Sequence, residues 1–123
     1  MKPLSVVILP GNGKIAESLA KSLHNHFRVV NLAGNLDELR CAIPQHAADV
    51  AIVDLERAGL EDVLKLRQDF SSTSIVCTHR LADERMWTQA LAAGAVDCCA
   101  SSDVRAIVLA ASHTGYVTHA HAA

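Results

Sequence analysis

Three places along this chain gather side chains that can do chemistry. Asp54 closes the apolar run VAIVD (50–54), and Thr78 closes SIVCT (74–78). The first offers a carboxylate that can act as nucleophile or ligand, the second a hydroxyl that can hydrogen-bond an anion. The third place is PGNGK (10–14), which follows the apolar run LSVVIL (4–9) and opens a helical period. Glycines between a strand and a helix invite a phosphate-binding reading, because backbone N–H groups at a helix start attract anions. A P-loop needs a hydroxyl directly after its Gly-Lys, and Ile15 stands there. The dinucleotide spacing GxGxxA does run from Gly11 through Gly13 to Ala16. Its acidic partner, about twenty residues on, would fall near Asn31, which carries no charge. A small-molecule or nucleotide site at Pro10–Lys14 therefore stands beside a plainer one, a turn with an open helix start.

Histidine and cysteine are the other candidates. Two HxH pairs, His24/His26 and His119/His121, lack a third ligand nearby in sequence, which makes solvated histidines the simpler expectation. Cys41, Cys77, Cys98 and Cys99 make no CxxC or zinc spacing. Three of them lie in strand-like runs with no local cation to stabilise a thiolate, so they are expected to pack as small hydrophobes. No metal or cofactor is expected.

The elements that must position these groups are legible in the pattern. Half of the 123 residues are hydrophobic, and 13 acidic against 11 basic residues give a net charge of −2. That is one domain's length, with enough apolar content to exclude disorder and no basic excess suited to nucleic acid or an anionic membrane. No apolar run reaches the roughly twenty residues of a membrane span, no secretory leader is visible, and the cytoplasm is the expected compartment. β-Branched runs at 4–9, 27–31, 50–54, 74–78 and 97–100 are continuous in apolarity, as strands buried on both faces are. Between them, apolar residues recur at helical spacing: Ile15, Leu19 and Leu23; Leu36, Leu39 and Ile43; Leu60, Val63 and Leu64; Met86, Ala90 and Ala93; Val104, Ile107, Val108 and Ala111. Pro44 is expected to end the second helix, Gly94 to close the fourth, and Ser101 or Ser102 to cap the fifth. Strict βα alternation predicts an α/β fold, a doubly wound parallel sheet, over residues 1–112. Residues 113–123 lose the period and are expected to be a flexible tail or the stub of a longer chain.

In such a sheet, function belongs at the carboxyl ends of the strands, in the loops after Leu9, Asp54, Thr78 and Ala100. At those positions the chain resembles the receiver domain of two-component response regulators, over residues 4 to 112. DVAIVDLERAGLED is similar to the family's third strand and following loop, with Asp54 at the phosphoacceptor position and Gly59 where a glycine is usual. SIVCTH places Thr78 where the family keeps a hydroxyl for the phosphoryl group, and ALAAGAVDCCASSD resembles the fifth-strand segment. The resemblance implies a flavodoxin-like fold with five strands in the order 2-1-3-4-5, five flanking helices, and signalling by phosphoryl transfer with Mg²⁺.

Against that pattern, the acidic pair after the first strand is replaced by Pro10 and Gly11, and the lysine after the fifth strand by Ser101. Cys98 stands at the family's aromatic switch position. Phosphoryl transfer rests on positioning and neutralisation of charge, and here the metal ligands and the cation are gone. The expectation is an atypical receiver, a pseudo-receiver, that is no enzyme and signals through protein–protein contact. A phosphoacceptor receiver modified on Asp54 is the alternative. With phosphorylation lost, Asp54 is expected either as a vestige or as a polar strand end facing solvent, and Thr78 as bonded to local backbone. By resemblance, a homodimer would form through the fourth helix, fifth strand and fifth helix. Arg85, Trp87 and Arg105 are the residues to examine there, beside Asp83 and Glu84.

Overall fold

Five short strands lie side by side, all parallel, in the order β2-β1-β3-β4-β5. This is a computed structural model that describes residues 4–11, 13–27 and 29–112. The strands are β1 (Ser5–Leu9), β2 (Val29–Leu32), β3 (Val50–Asp54), β4 (Ser74–His79) and β5 (Asp97–Ala100). Helices α1 (Gly13–His24), α2 (Leu36–Gln45), α3 (Leu60–Asp69) and α4 (Glu84–Ala92) alternate with them, and α5 occupies residues 104–112. This is the predicted doubly wound fold and strand order.

The continuous apolarity of the strands has its cause in two helical layers. One face of the sheet packs Val7, Leu9, Ala51, Val53, Ile75 and Cys77 against Leu39, Ile43, Val63, Leu66 and Ala90 of α2, α3 and α4. The other packs Val6, Ile8, Val50, Ile52 and Val76 against Leu19 and Leu23 of α1 and Ile107 and Ala111 of α5. Every residue of β3 is buried. A fully buried leucine such as Leu23 or Leu39 contributes about 1.5–3 kcal/mol through its removal from water.

Several boundaries differ from the pattern-based expectation. β2 begins at Val29 because Phe27 is still tied to the turn after α1: its N–H donates to Leu23 O at 2.9 Å and its ring enters the core. α2 passes through Pro44 to Gln45; a proline this close to a helix end forfeits one hydrogen bond, and His46 N–H to Ala42 O closes the turn beyond it. Leu64 is exposed, and Leu66 takes the core position on α3, because the buried face follows Val63 and Leu66. α5 is capped by Asp103, whose Oδ1 accepts from Ala106 N–H at 3.1 Å, and not by Ser101 or Ser102. Gly94 does close α4, at φ +109°, a conformation that side chains rarely adopt.

Strand order fixes where the loops converge. β1 lies between β2 and β3, so the chain leaves its carboxyl end in opposite directions and opens a crevice there. Pro10 and Gly11 follow β1 at that crevice, and Asp54 ends β3 beside them.

Candidate functional site

Asp54 is the last residue of a fully buried strand and is itself only 1% exposed. Parallel pairing sets it directly against Thr78 on β4. Thr78 Oγ1 donates to Asp54 Oδ2 at 3.0 Å, a hydrogen bond between two buried side chains. The other oxygen, Oδ1, accepts from the backbone N–H of Glu56 at 2.8 Å. The sequence-based alternatives for both residues need correction here. Asp54 does not face solvent, and Thr78 bonds a side chain rather than local backbone.

Gly11 completes the enclosure. A Cβ placed on it would stand 2.8 Å from Asp54 Oδ2 and 2.9 Å from its Cγ, closer than real Cβ atoms approach. The first loop therefore rests on the carboxylate, and only glycine permits that approach. Arg57 ties the arrangement together from outside. It lies in the turn that Asp54 O closes, where Asp54 O accepts from Arg57 N–H at 3.0 Å. Its Nη1 donates to Pro10 O at 3.3 Å and its Nη2 to Gly34 O. Gly34 is in turn held by its N–H to Glu38 Oε1 at 3.0 Å.

The remaining site positions lie around this centre. Ser101, at the position of the family's lysine, is 5% exposed and its N–H donates to His79 O at 3.0 Å. It carries no charge toward Asp54. Gly59 precedes α3 at φ −81°, a conformation open to any residue. Glu56 turns its carboxylate outward to Arg80, whose Nε is 3.2 Å from Oε1, with His79 Nε2 at 3.8 Å.

A Mg²⁺-type ion takes six oxygen ligands, usually with one or two carboxylates among them. Pro10 and Gly11 bring no side-chain oxygen, and both Asp54 oxygens already accept hydrogen bonds. Among the described residues no group of three or more His, Cys, Asp or Glu side chains is arranged to hold a metal. This donor set does not fit the ion that the resemblance implies.

Cys77 and Cys98 pair in register on neighbouring strands. Burial first, then neighbouring thiols and carboxylates, pushes Cys77 up to about 12, Cys98 to about 11 and Cys99 to about 12. These are core thiols, poor nucleophiles at neutral pH. His24 and His26 are exposed at the end of α1. Asn12, His119, His121 and the tail 113–123 lie outside the described residues, as do the side chains of Gly13, Lys14, Ile15 and Ala16. The nucleotide reading of Pro10–Lys14 thus falls largely outside them.

On the opposite flank, Trp87 is 44% exposed, yet its indole N–H donates to Asp97 Oδ1 at 3.0 Å. Leu81 and Leu109 are also exposed, and Arg85 and Arg105 stand on the outer faces of α4 and α5. Arg57, the Glu56 amide and the closeness of Gly11 were missed by sequence reasoning. No local motif marks an arginine that reaches carbonyls 47 and 23 residues away.

No family model matches this chain, and no curated protein matches it. Solved structures do. The signal receiver domain of the response regulator NarL from Mycobacterium tuberculosis superimposes with a TM-score of 0.75 at 20% identity, covering 91% of this chain and 98% of that one. The receiver domain of the Francisella response regulator 1452 gives 0.77 at 16% identity, covering 89% and 93%. The isolated receiver domain of RcsB from Salmonella enterica serovar Typhimurium, solved with the phosphomimetic BeF3⁻, gives 0.75 at 18%, covering 88% and 87%. The fold is that of response-regulator receiver domains.

Proposed function

We propose that this chain is an atypical receiver domain that serves signal transduction through protein–protein contact, without Mg²⁺-dependent phosphorylation and without an enzymatic activity of its own. The observation that carries this reading is the state of Asp54: buried, with each oxygen accepting an internal hydrogen bond and no room at Gly11 for a side chain beside it. An aspartyl phosphate would add up to about two negative charges there. Ser101 supplies no cation, and Pro10 and Gly11 bring no side-chain oxygen for a metal.

The contact surface we favour is the face of α4, β5 and α5. Trp87 is anchored by Asp97 and still presents nearly half of its surface, which suits a rigid aromatic anchor for a partner. Exposed Asp83, Glu84 and Arg85 at the start of α4 and Arg105 on α5 give the face both signs of charge, as a self-complementary two-fold contact allows. A second copy of the chain is the partner this favours, and the cytoplasm its compartment.

The test is an amide-resolved NMR titration with Mg²⁺, followed by beryllofluoride as a phosphoryl mimic. The expected spectrum is silent around Asp54, Thr78 and Gly11. Shifts clustered at those residues would establish the alternative, a working phosphoacceptor.

A further inference from the structure

Arg57 is exposed, follows Asp54 by three residues, and spends its guanidinium on two backbone carbonyls of other loops. Pro10 O belongs to the β1–α1 loop, which lies on Asp54; Gly34 O belongs to the β2–α2 loop; Arg57 itself is in the β3–α3 turn. One planar fork therefore joins three of the loops at the carboxyl end of the sheet. Arginine suits this role because its donors diverge in a fixed plane, whereas a lysine presents one point charge. Carbonyl oxygens are the acceptors such a cation recruits when no carboxylate faces it, and β1 is followed here by none.

We infer that Arg57 is the strap that holds the β1–α1 loop closed over Asp54, and that this closure, beyond the loss of acidic ligands, shuts the carboxyl end to a divalent cation or phosphoryl donor. The inference deepens the proposed function and rests on it in one respect, that Asp54 is not a phosphoacceptor. Its mechanical part stands on geometry alone. The loop can lift only if Pro10 O is released, and lifting it uncovers the face of the carboxylate that lies where a Cβ on Gly11 would stand. Arg57 is a positioning residue, since it bonds neither oxygen of Asp54.

Amide hydrogen exchange on the full chain and on Arg57→Met separates this from a general stabilising role. Methionine keeps the stem and removes both hydrogen bonds. The expected result is at least tenfold faster exchange of the Glu56 amide, which is bonded to Asp54 Oδ1. Core amides such as Ile52 should be unchanged, with a thermal midpoint within a few degrees of the parent. Arg57→Lys, which can satisfy one carbonyl at most, should fall between. Unchanged Glu56 exchange in Arg57→Met, or equal acceleration throughout the sheet, overturns the strap. A beryllofluoride response in the unaltered chain overturns the proposed function and with it the claim that the closure shuts the carboxyl end, whereas exchange at Glu56 decides separately whether Arg57 straps the loop.

Discussion

Replacing Asp54 by alanine should destabilise the fold, and the size of the loss follows from the partners it leaves behind. Thr78 is 3% exposed, and its hydroxyl donates to Asp54 Oδ2. Stranding such a buried group costs about 1–3 kcal/mol. The Glu56 N–H also loses its acceptor, but Glu56 is exposed, so water replaces part of that bond. Removal of a buried carboxylate gives something back, because its own desolvation opposes folding. The net expectation for Asp54→Ala is a loss of about 2 kcal/mol, or roughly 6–12 °C in Tm. Asp54→Asn should lie within about 1 kcal/mol of the parent, since its Oδ1 can still accept from Glu56 while its Nδ2 donates to a rotated Thr78 hydroxyl. Thr78→Val should cost about 1.5–3 kcal/mol by leaving Oδ2 without its side-chain donor. Urea unfolding of the two single variants and the double variant should give a coupling of about 1–2 kcal/mol between Asp54 and Thr78. Asp54→Ala at or above parental stability would refute the reasoning. It would mean the carboxylate is held against the fold's preference, as groups kept for chemistry commonly are.

Three other outcomes are expected. A thiol reagent at neutral pH should modify exposed Cys41 alone, with Cys77, Cys98 and Cys99 reacting only after denaturant is added. Because burial raises those three from an ordinary 9.0 to about 12, 11 and 12, the unfolded chain releases their protons first as pH rises. The stability they contribute is complete below pH about 9 and is lost as pH climbs from there toward 12, so Cys77→Ala should show a shallower alkaline decline in denaturant titrations. At the proposed interface, Arg85→Glu with Arg105→Glu should shift a dimer to monomer in light scattering on a sizing column; an unchanged mass removes that face.

The fold was readable because its signals are local. The strands Val50–Asp54 and Asp97–Ala100 fall at their expected bounds, since a doubly covered strand is apolar throughout and ends at its first polar turn. Phe27 was misassigned for a related reason: an aromatic residue next to Val29 and Val30 matches a strand, and only the Leu23 carbonyl decides that it closes a helix. Pro44 shows the limit of a breaker rule near a helix end. At the site, Asp54 and Thr78 were placed by order along the chain, but their mutual hydrogen bond comes from strand pairing 24 residues apart. Gly11 was visible only as a missing ligand; its contact with the carboxylate is a tertiary fact.

The closed carboxyl end bears on where a signal could enter. Asp54 binds β3 to β4 through Thr78 and to its own turn through Glu56, while Arg57 fastens the neighbouring loops above it. Thr78 in turn pairs in register with Cys99, and Cys77 with Cys98, so the order set at Asp54 continues into β5. Asp97 at the start of β5 then holds Trp87 on α4. A chain of direct contacts thus runs from the enclosed carboxylate to the exposed indole of Trp87. In a receiver that cycles, such contiguity would let chemistry at one end move the other. Under the proposed closure, the same contacts would hold Trp87 in one arrangement, and a rigid anchor loses less side-chain freedom on binding than a mobile one. A partner that selects this face would therefore need no modification of Asp54 to recognise it.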